Sequence, residues 1–168
     1  MDTRRRIGVA RVGLVAAVLL LLCGSARAAE FTGRVVAVID GDTLTVVHGH
    51  RAEQLRLIGI DAPEKRQDYG EQARRFVSVL AFGQIVTVEP RGRDRNGRVL
   101  AEVVLPDGRS LNRELVRSGY AWWFRRYSRD PVLAALEAEA RREHRGLWAA
   151  DTAVPPWEFR AARRRRGS

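Results

Sequence analysis

Five short segments rich in β-branched and other apolar residues most strongly constrain how this chain can fold. They lie at residues 31–39, 44–48, 54–60, 85–89 and 99–105. Asp-Gly, His-Gly, Asn-Gly and Pro-Asp-Gly sequences separate or follow them, which is the pattern of short strands joined by tight turns. The first three segments follow one another closely and predict a three-stranded meander.

Three helices are predicted around these strands. Over residues 71–80, apolar residues recur at i, i+3, i+4 and i+7, which places them on one face of a helix. Ser110 can cap a short second helix, and a third is predicted over residues 131–144, with Pro131 in its first turn and Gly146 after its end. Five strands with a helix after the third are typical of an OB-type barrel. The predicted fold class is therefore α+β, a five-stranded OB-fold β-barrel with about three helices.

The two ends of the chain differ from the body. The length of 168 residues favours one domain, predicted over residues 29–150. Residues 1–28 have the pattern of a secretory signal peptide, with basic residues, an apolar run and Ala26-Arg27-Ala28 before the cleavage position. Cleavage after Ala28 would give a secreted or periplasmic protein without stable membrane association. An uncleaved anchor is the alternative, although the apolar run is shorter than the about 20 residues that span a membrane.

The positive charge lies mostly at the ends. The net charge is +10, yet residues 29–159 carry 20 basic and 19 acidic residues. Residues 151–168 form a basic C-terminal tail with Arg160 and Arg163 to Arg166. Such a block is either a solvated, mobile tail or an electrostatic tether to phosphates or acidic lipid headgroups, and both interpretations stay open. The single cysteine excludes an internal disulfide framework and a multi-cysteine zinc site.

Carboxylates are concentrated at one turn and one strand end. Residues 40–43 read Asp-Gly-Asp-Thr, and the predicted strand that contains Arg56 leads into Asp61-Ala62-Pro63-Glu64. Carboxylate and carbonyl oxygens are the ligands that a hard cation such as Ca²⁺ requires. Histidine and cysteine are missing from this segment, which argues against zinc or copper.

A second arginine, Arg98, opens a later strand after the tight turn at residues 94–97. Two arginines and a carboxylate-bound cation suit phosphodiester cleavage, because they stabilise the charge that the phosphate gains in the transition state. A further carboxylate could orient or deprotonate water. Taken singly, these motifs are an ordinary turn, a helix cap and a surface arginine; their order along the chain makes them specific.

That order resembles the staphylococcal nuclease (thermonuclease) family over about residues 31–149. The matching motifs are Val38-Ile39-Asp40-Gly41-Asp42-Thr43, Arg56-Leu57-Ile58-Gly59-Ile60-Asp61-Ala62-Pro63-Glu64, Tyr69-Gly70, Asp94-Arg95-Asn96-Gly97-Arg98, Leu115-Val116-Arg117-Ser118-Gly119 and Gly146-Leu147-Trp148. The resemblance implies an OB barrel with three helices and a Ca²⁺-dependent endonuclease. It would act on DNA and RNA with little sequence specificity and leave 3′-phosphate ends. A monomer is expected.

The resemblance also implies the ligands of the metal. Asp42 and Asp61 are similar to the metal carboxylates of the family, and the backbone carbonyl of Ala62 corresponds to a further ligand. Asp40 would shape the turn or bond a metal-bound water. The founding member has threonine at the position of Ala62, and a main-chain ligand survives that change.

The remaining family roles fall on three charged residues and one tyrosine. Glu64 corresponds to the general base or to the group that positions the attacking water, and Arg56 and Arg98 correspond to the phosphate clamps. Tyr127 matches one of two base-side tyrosines, whereas the other position holds Arg125. The resemblance therefore does not predict which nucleotide bases the enzyme prefers.

Two further interpretations concern nucleic-acid binding. Aromatic and basic residues alternate over residues 120–129, which suits either a stacking platform for single strands or core tryptophans with a rim of arginines; for Trp122 and Trp123 the core is favoured. A non-catalytic nucleic-acid-binding OB module is the alternative to a nuclease, although it would not need all five charged site residues. The barrel motifs give no support to a protein whose basic ends bind lipid headgroups.

Overall fold

Seven strands, four α-helices and a 3₁₀ turn lie along residues 29–150 and 152–167, the part of the chain that the computed structural model describes. The predicted signal peptide at residues 1–28 lies outside the described residues. In chain order the elements are β1 (Phe31–Val38), β2 (Thr43–His48), β3 (Arg51–Leu57), β4 (Ile60–Asp61), α1 (Gly70–Ala81), β5 (Ile85–Arg93), β6 (Val99–Val104), α2 (Leu111–Arg117), β7 (Trp122–Trp123), α3 (Pro131–Arg142), a 3₁₀ turn (Gly146–Ala149) and α4 (Pro156–Arg166).

Five of the strands close into a barrel in the order β1-β2-β3-β6-β5. The first three form the predicted antiparallel meander. A parallel pairing of β3 with β6 then closes the barrel, and β5 joins β6 to β1 by antiparallel pairing. The predicted α+β fold with a five-stranded barrel is confirmed, with four α-helices in the described residues instead of about three.

The third strand ends earlier than predicted, and this changes where Asp61 lies. The sequence predicts one strand over residues 54–60, whereas β3 ends at Leu57. Gly59 has φ +77°, in the left-handed region that favours glycine, so the chain turns out of the barrel there. Residues Ile60–Asp61 then pair with Trp122–Trp123 in a separate two-stranded sheet. Asp61 is therefore fixed by β7 rather than by the barrel.

Alternating side chains fill the barrel. On β2, Leu44 and Val46 are fully buried, and on β6 Ala101 and Val103 are as well. This period of two is what a strand with one face in the core requires. Helix α1 contributes a buried stripe, Ala73, Val77 and Ala81, to the same part of the molecule. Full burial of a Val or Leu side chain stabilises the fold by about 1.5–3 kcal/mol.

A buried asparagine joins α2 to the strands that lead to the carboxylates. The Asn112 side-chain amide donates to the carbonyls of Ile58 (2.9 Å) and Ala101 (3.3 Å), and its oxygen accepts from the amide of Val103 at 3.1 Å. Asn112 is only 3% exposed. The residue thus links the chain directly after β3 to β6, where the amide of Ile58 also donates to the Ala101 carbonyl at 3.0 Å.

The basic C-terminal segment is a helix. The sequence suggests a solvated tail there, but Pro156–Arg166 forms α4, with Pro156 buried in its first turn. The ring of Trp157 stacks on Phe124 with a centroid distance of 5.4 Å and an interplanar angle of 5°. The packing of Pro156 and Trp157 holds the start of this segment against the body, whereas the side chains of Arg163 to Arg166 are exposed; the electrostatic tether stays a prediction. In the described part of the chain, no helix is long and apolar enough to cross a membrane.

We expect Asn112→Ala to lower the free energy of unfolding by about 2–3 kcal/mol, because it leaves the buried Val103 amide and the partly buried Ile58 carbonyl without their side-chain partner. Asn96→Ala is the matched control, since Asn96 is exposed in the turn before β6 and should cost less than about 0.5 kcal/mol. Urea denaturation of both variants measures the difference. Equal losses would contradict the role given to Asn112.

Candidate active site

The strand register brings Arg56 to Asp42. Thr43, the first residue of β2, is the partner of Arg56 on β3, so Asp42 lies beside the Arg56 side chain. The guanidinium of Arg56 donates to Asp42 Oδ1 and, at 2.7 Å, to Asp61 Oδ1. One arginine therefore joins two carboxylates from different elements. The sequence predicts both residues as parts of one site, and the structure brings them together.

The Asp42 carboxylate is held by its surroundings as well as by Arg56. Its Oδ2 accepts from the amide of Ala62 at 2.7 Å, and its Oδ1 accepts from the Thr43 hydroxyl at 3.3 Å. Asp40 shapes the turn, because its Oδ1 accepts from the amide of Asp42 at 3.0 Å. Ala62, a proposed backbone ligand, is thus fixed next to Asp42 by its own peptide group.

Burial makes negative charge costly at this place. Asp42 and Asp61 are 1% and 0% exposed. Burial raises the pKa of Asp42 above its ordinary value, while Arg56 acts in the opposite direction. Burial alone would lower the pKa of Arg56, but Asp42 and Asp61 outweigh it, so the arginine pKa is raised. Positive charge is stabilised here, because both carboxylates are buried and Arg56 contacts each of them.

Arg98 lies at the other side of Asp42. It precedes β6, whose parallel pairing with β3 brings it near the start of β2. Its Nε donates to Asp94 Oδ2 at 2.8 Å, and its Nη1 reaches the hydroxyl of Thr43 at 3.5 Å. Since Thr43 itself donates to Asp42, Arg98 is connected to the buried carboxylates through one hydroxyl group.

Glu64 meets a residue that the sequence does not predict as part of the site. Arg160 of α4 donates to Glu64 Oε1 at 2.8 Å and to Asp61 Oδ2 at 2.7 Å. Burial works against its charge, but these two carboxylates raise the pKa of Arg160 above its ordinary value. The sequence indicates this contact only weakly: Pro156 is typical of a helix start, and Trp157 is an apolar residue that can pack such a helix against the body.

The loop after Glu64 also contacts the segment that leads into α4. The Gln67 side-chain amide donates to the carbonyl of Val154, and its oxygen accepts from the amide of Glu64 at 3.2 Å. Tyr69 and Trp157 pack against a small apolar cluster that includes Trp122. The position of Arg160 is therefore determined by packing and hydrogen bonds on both sides of the helix start.

Tyr127 lies apart from these charged groups. It is 70% exposed, and its ring meets Phe124 edge-on at 4.9 Å. Across residues 29–150 and 152–167, no hydrogen bond or ion pair joins Tyr127 to the carboxylates. Nearby, Trp122 is 2% exposed and belongs to the core as favoured above, while Trp123 is partly buried under Arg125.

The donor set suits a hard cation with few protein ligands. In the described residues, no group of three or more His, Cys, Asp or Glu side chains could hold a metal. Asp42 and Asp61 offer carboxylate oxygens beside the Ala62 peptide, without nitrogen or sulfur donors. Two carboxylates and a main-chain carbonyl, completed by water, would make an oxygen-only set of the kind that Ca²⁺ takes.

Comparison with known proteins identifies the family. Residues 54–150, more than half of the chain, match the family model described as staphylococcal nuclease homologue. An "Uncharacterized endonuclease" of Escherichia coli is 46% identical over 143 residues, which cover 85% of this chain and 94% of the relative. The "Micrococcal nuclease" of Shigella flexneri is 37% identical over 164 residues, 92% of this chain and 94% of the relative. The chain belongs to the staphylococcal nuclease family.

The predicted resemblance is thereby confirmed, and the protein is an endonuclease that hydrolyses nucleic acid. "Protein ParB" of Escherichia coli is similar over nearly the whole chain, with 39% identity over 166 residues, 93% of this chain and 94% of the relative. The matched family range of this nuclease contains Arg56, Asp61, Glu64 and Arg98. Arg160 follows the end of that range.

For this nuclease without added cation, we expect Arg56→Gln to lower the free energy of unfolding by about 3 kcal/mol, since it leaves two buried carboxylates without their shared partner. Arg98→Gln is the control. Its main partner, Asp94, is partly exposed, so the loss should stay below about 1 kcal/mol. Urea denaturation in the presence of a chelator measures both. A loss for Arg98→Gln as large as that for Arg56→Gln would be inconsistent with this difference.

Proposed function

We propose that this nuclease is an exported, calcium-dependent endonuclease that cleaves DNA and RNA with little sequence specificity and leaves 3′-phosphate ends. The observation that carries the proposal is the joining of Asp42 and Asp61 by Arg56, with Glu64 and Arg98 at its borders. Oxygen ligands, a spare carboxylate and two arginines therefore meet at one place. The basic and apolar leader before Ala28 supports export, and we propose that the mature protein acts as a monomer.

Asp42, Asp61 and the Ala62 carbonyl are the groups that would hold the cation. When bound, Ca²⁺ would supply positive charge beside the phosphate that is attacked. Asp40 keeps the turn in place through the amide of Asp42. Ala62 and Thr43 fix the orientation of the Asp42 carboxylate, so this ligand does not have to be ordered when the cation binds, which favours affinity.

Arg56 and Arg98 are proposed to bind the phosphate. A guanidinium can donate two parallel hydrogen bonds to phosphate oxygens, a geometry that lysine does not reproduce. Arg56 is 19% exposed and Arg98 25% exposed at the side chain, so both can reach a bound substrate. Their charge stabilises the transition state more than the ground state, because negative charge on the phosphate oxygens increases during attack.

Glu64 is proposed to take the proton of the attacking water or to position that water. Its side chain is 36% exposed, unlike those of the two buried aspartates, so water has access to it. Attack at phosphorus with departure of the 5′ oxygen leaves the phosphate on the 3′ side. A carboxylate in this position contributes about 10²- to 10⁴-fold to the rate as a general base.

We expect Ca²⁺ to restore, and a Ca²⁺ chelator to abolish, cleavage of plasmid and single-stranded DNA and of RNA by the purified mature protein. The physical reason is that charge on the attacked phosphate would lose its main stabilisation without the cation. Gel assays with and without chelator, followed by end-group labelling, measure both the dependence and the 3′-phosphate. Undiminished cleavage in excess chelator would refute the calcium assignment.

We expect Glu64→Gln and Arg98→Ala each to reduce kcat by at least about 100-fold, because they remove a base and a charge stabiliser. Glu89→Gln and Arg91→Ala are matched controls: these residues pair with each other on β5, and their loss should leave kcat within about twofold of the wild type. Steady-state kinetics on a short single-stranded substrate compares the four variants. Normal cutting by the first two would invalidate their roles.

A further inference from the structure

Both carboxylate oxygens of Asp61 are occupied by guanidinium groups. Arg160 Nη2 donates to Oδ2 at 2.7 Å and Nη1 lies 3.2 Å from Oδ1. Arg56 donates to the same Oδ1 at 2.7 Å. Arg160 also takes one oxygen of Glu64 at 2.8 Å. A single side chain thus covers the carboxylate proposed to bind the cation and the one proposed to handle water.

A divalent cation cannot share this place with Arg160. Ca²⁺ approaches carboxylate oxygens to about 2.3–2.6 Å, and the Arg160 nitrogens already lie at hydrogen-bond distance from both oxygens of Asp61. Two positive groups in a partly buried site repel each other strongly, because screening by water is reduced there. Binding of the cation to Asp61 therefore requires Arg160, which contacts both oxygens, to leave, whereas Arg56 contacts Oδ1 alone.

The position of Arg160 is a feature of the fold rather than the result of a free arginine reaching inward. Pro156 is buried and Trp157 stacks on Phe124 at the start of α4. The Arg160 side chain is 33% exposed, while Arg163 and Arg165 are exposed. The helix start is thus anchored such that the next turn presents Arg160 to the carboxylates.

We propose that Arg160 is a built-in competitor of the divalent cation, a latch that occupies Asp61 and Glu64 until the cation displaces it. This inference rests on the proposed calcium dependence. In the latched state Asp61 and Glu64 have a counterion without metal, and Glu64 has one oxygen fewer to accept a proton from water. The latch raises the cation concentration at which the nuclease becomes active.

The test is calorimetric titration of Ca²⁺ into three forms of the mature protein that follows Ala28: the wild type, Arg160→Gln and Arg165→Gln. Both variants lose one positive charge from α4, but only the first loses the contacts with Asp61 and Glu64. We expect the Kd for Ca²⁺ to fall by about three- to tenfold in Arg160→Gln, the worth of a partly exposed ion pair. Arg165→Gln should stay within about twofold of the wild type, since a single exposed charge acts only through solvent.

An unchanged or higher Kd in Arg160→Gln would overturn the latch; a higher one would indicate that Arg160 assists binding. If the wild type binds and requires Ca²⁺ while all three proteins share one Kd, only the latch fails. If the wild type binds no Ca²⁺ and cleaves in chelator, the proposed calcium dependence fails and the latch fails with it.

A second measurement covers the case in which Arg160→Gln does not fold. Side-chain NMR of the wild type, with the guanidinium Nη–H signals of Arg160 assigned through Arg160→Lys, reports on the contact, which the two Nη atoms make. We expect an ordered signal without Ca²⁺ and the signal of a mobile, solvated side chain at saturating Ca²⁺. A signal that Ca²⁺ leaves unchanged would overturn the proposal.

Discussion

The buried carboxylate of Asp42 is the constraint on which the rest of the site depends. At 1% exposure it is stable only with partners, and its partners come from three places: Arg56 on β3, the Thr43 hydroxyl on β2, and the amide of Ala62 beyond β4. Satisfying one charge therefore fixes the ends of two barrel strands and the chain segment that carries Asp61. The turn, the strand end and the short outer sheet hold their relative positions because none can move without leaving a buried charge unpaired.

The groups that stabilise the fold are also the groups proposed to do the chemistry. Arg56 of β3 forms ion pairs with Asp42 and Asp61, and the same guanidinium is proposed to contact the phosphate. Such double use keeps the side chains in place before substrate arrives, which is what electrostatic stabilisation of a transition state requires. A substitution of Arg56 is therefore expected to change stability and activity together. Arg98 is held mainly by the partly exposed Asp94, so its substitution is expected to lower activity with little loss of stability.

Local patterns in the sequence predict the barrel because each strand is marked by its own alternation and each turn by its own residues. They also bring Asp42 to Arg56, since the meander register follows from neighbouring strands. Local sequence patterns do not predict two features of the site. The break at Gly59 moves Asp61 onto a sheet with β7, and its partner strand lies some sixty residues later. Arg160 reaches Asp61 across 99 positions, and nothing in an arginine-rich tail tells which arginine turns inward. That choice depends on where Trp157 and Pro156 pack.

The formal charges at the site show why an arginine in that position matters beyond its own contacts. In their ionised forms, Asp42, Asp61, Glu64 and Asp94 are paired with Arg56, Arg98 and Arg160, so the latched site presents no net positive charge to a polyanion. Exchange of Arg160 for a divalent cation makes the site more positive by one charge, because the cation brings twice the charge that departs from Asp61. Attraction for phosphate then increases at the step that completes the proposed catalytic groups. A guanidinium suits this role better than an ammonium group, since its two Nη atoms bridge Asp61 and Glu64 at once and it keeps its charge at every physiological pH.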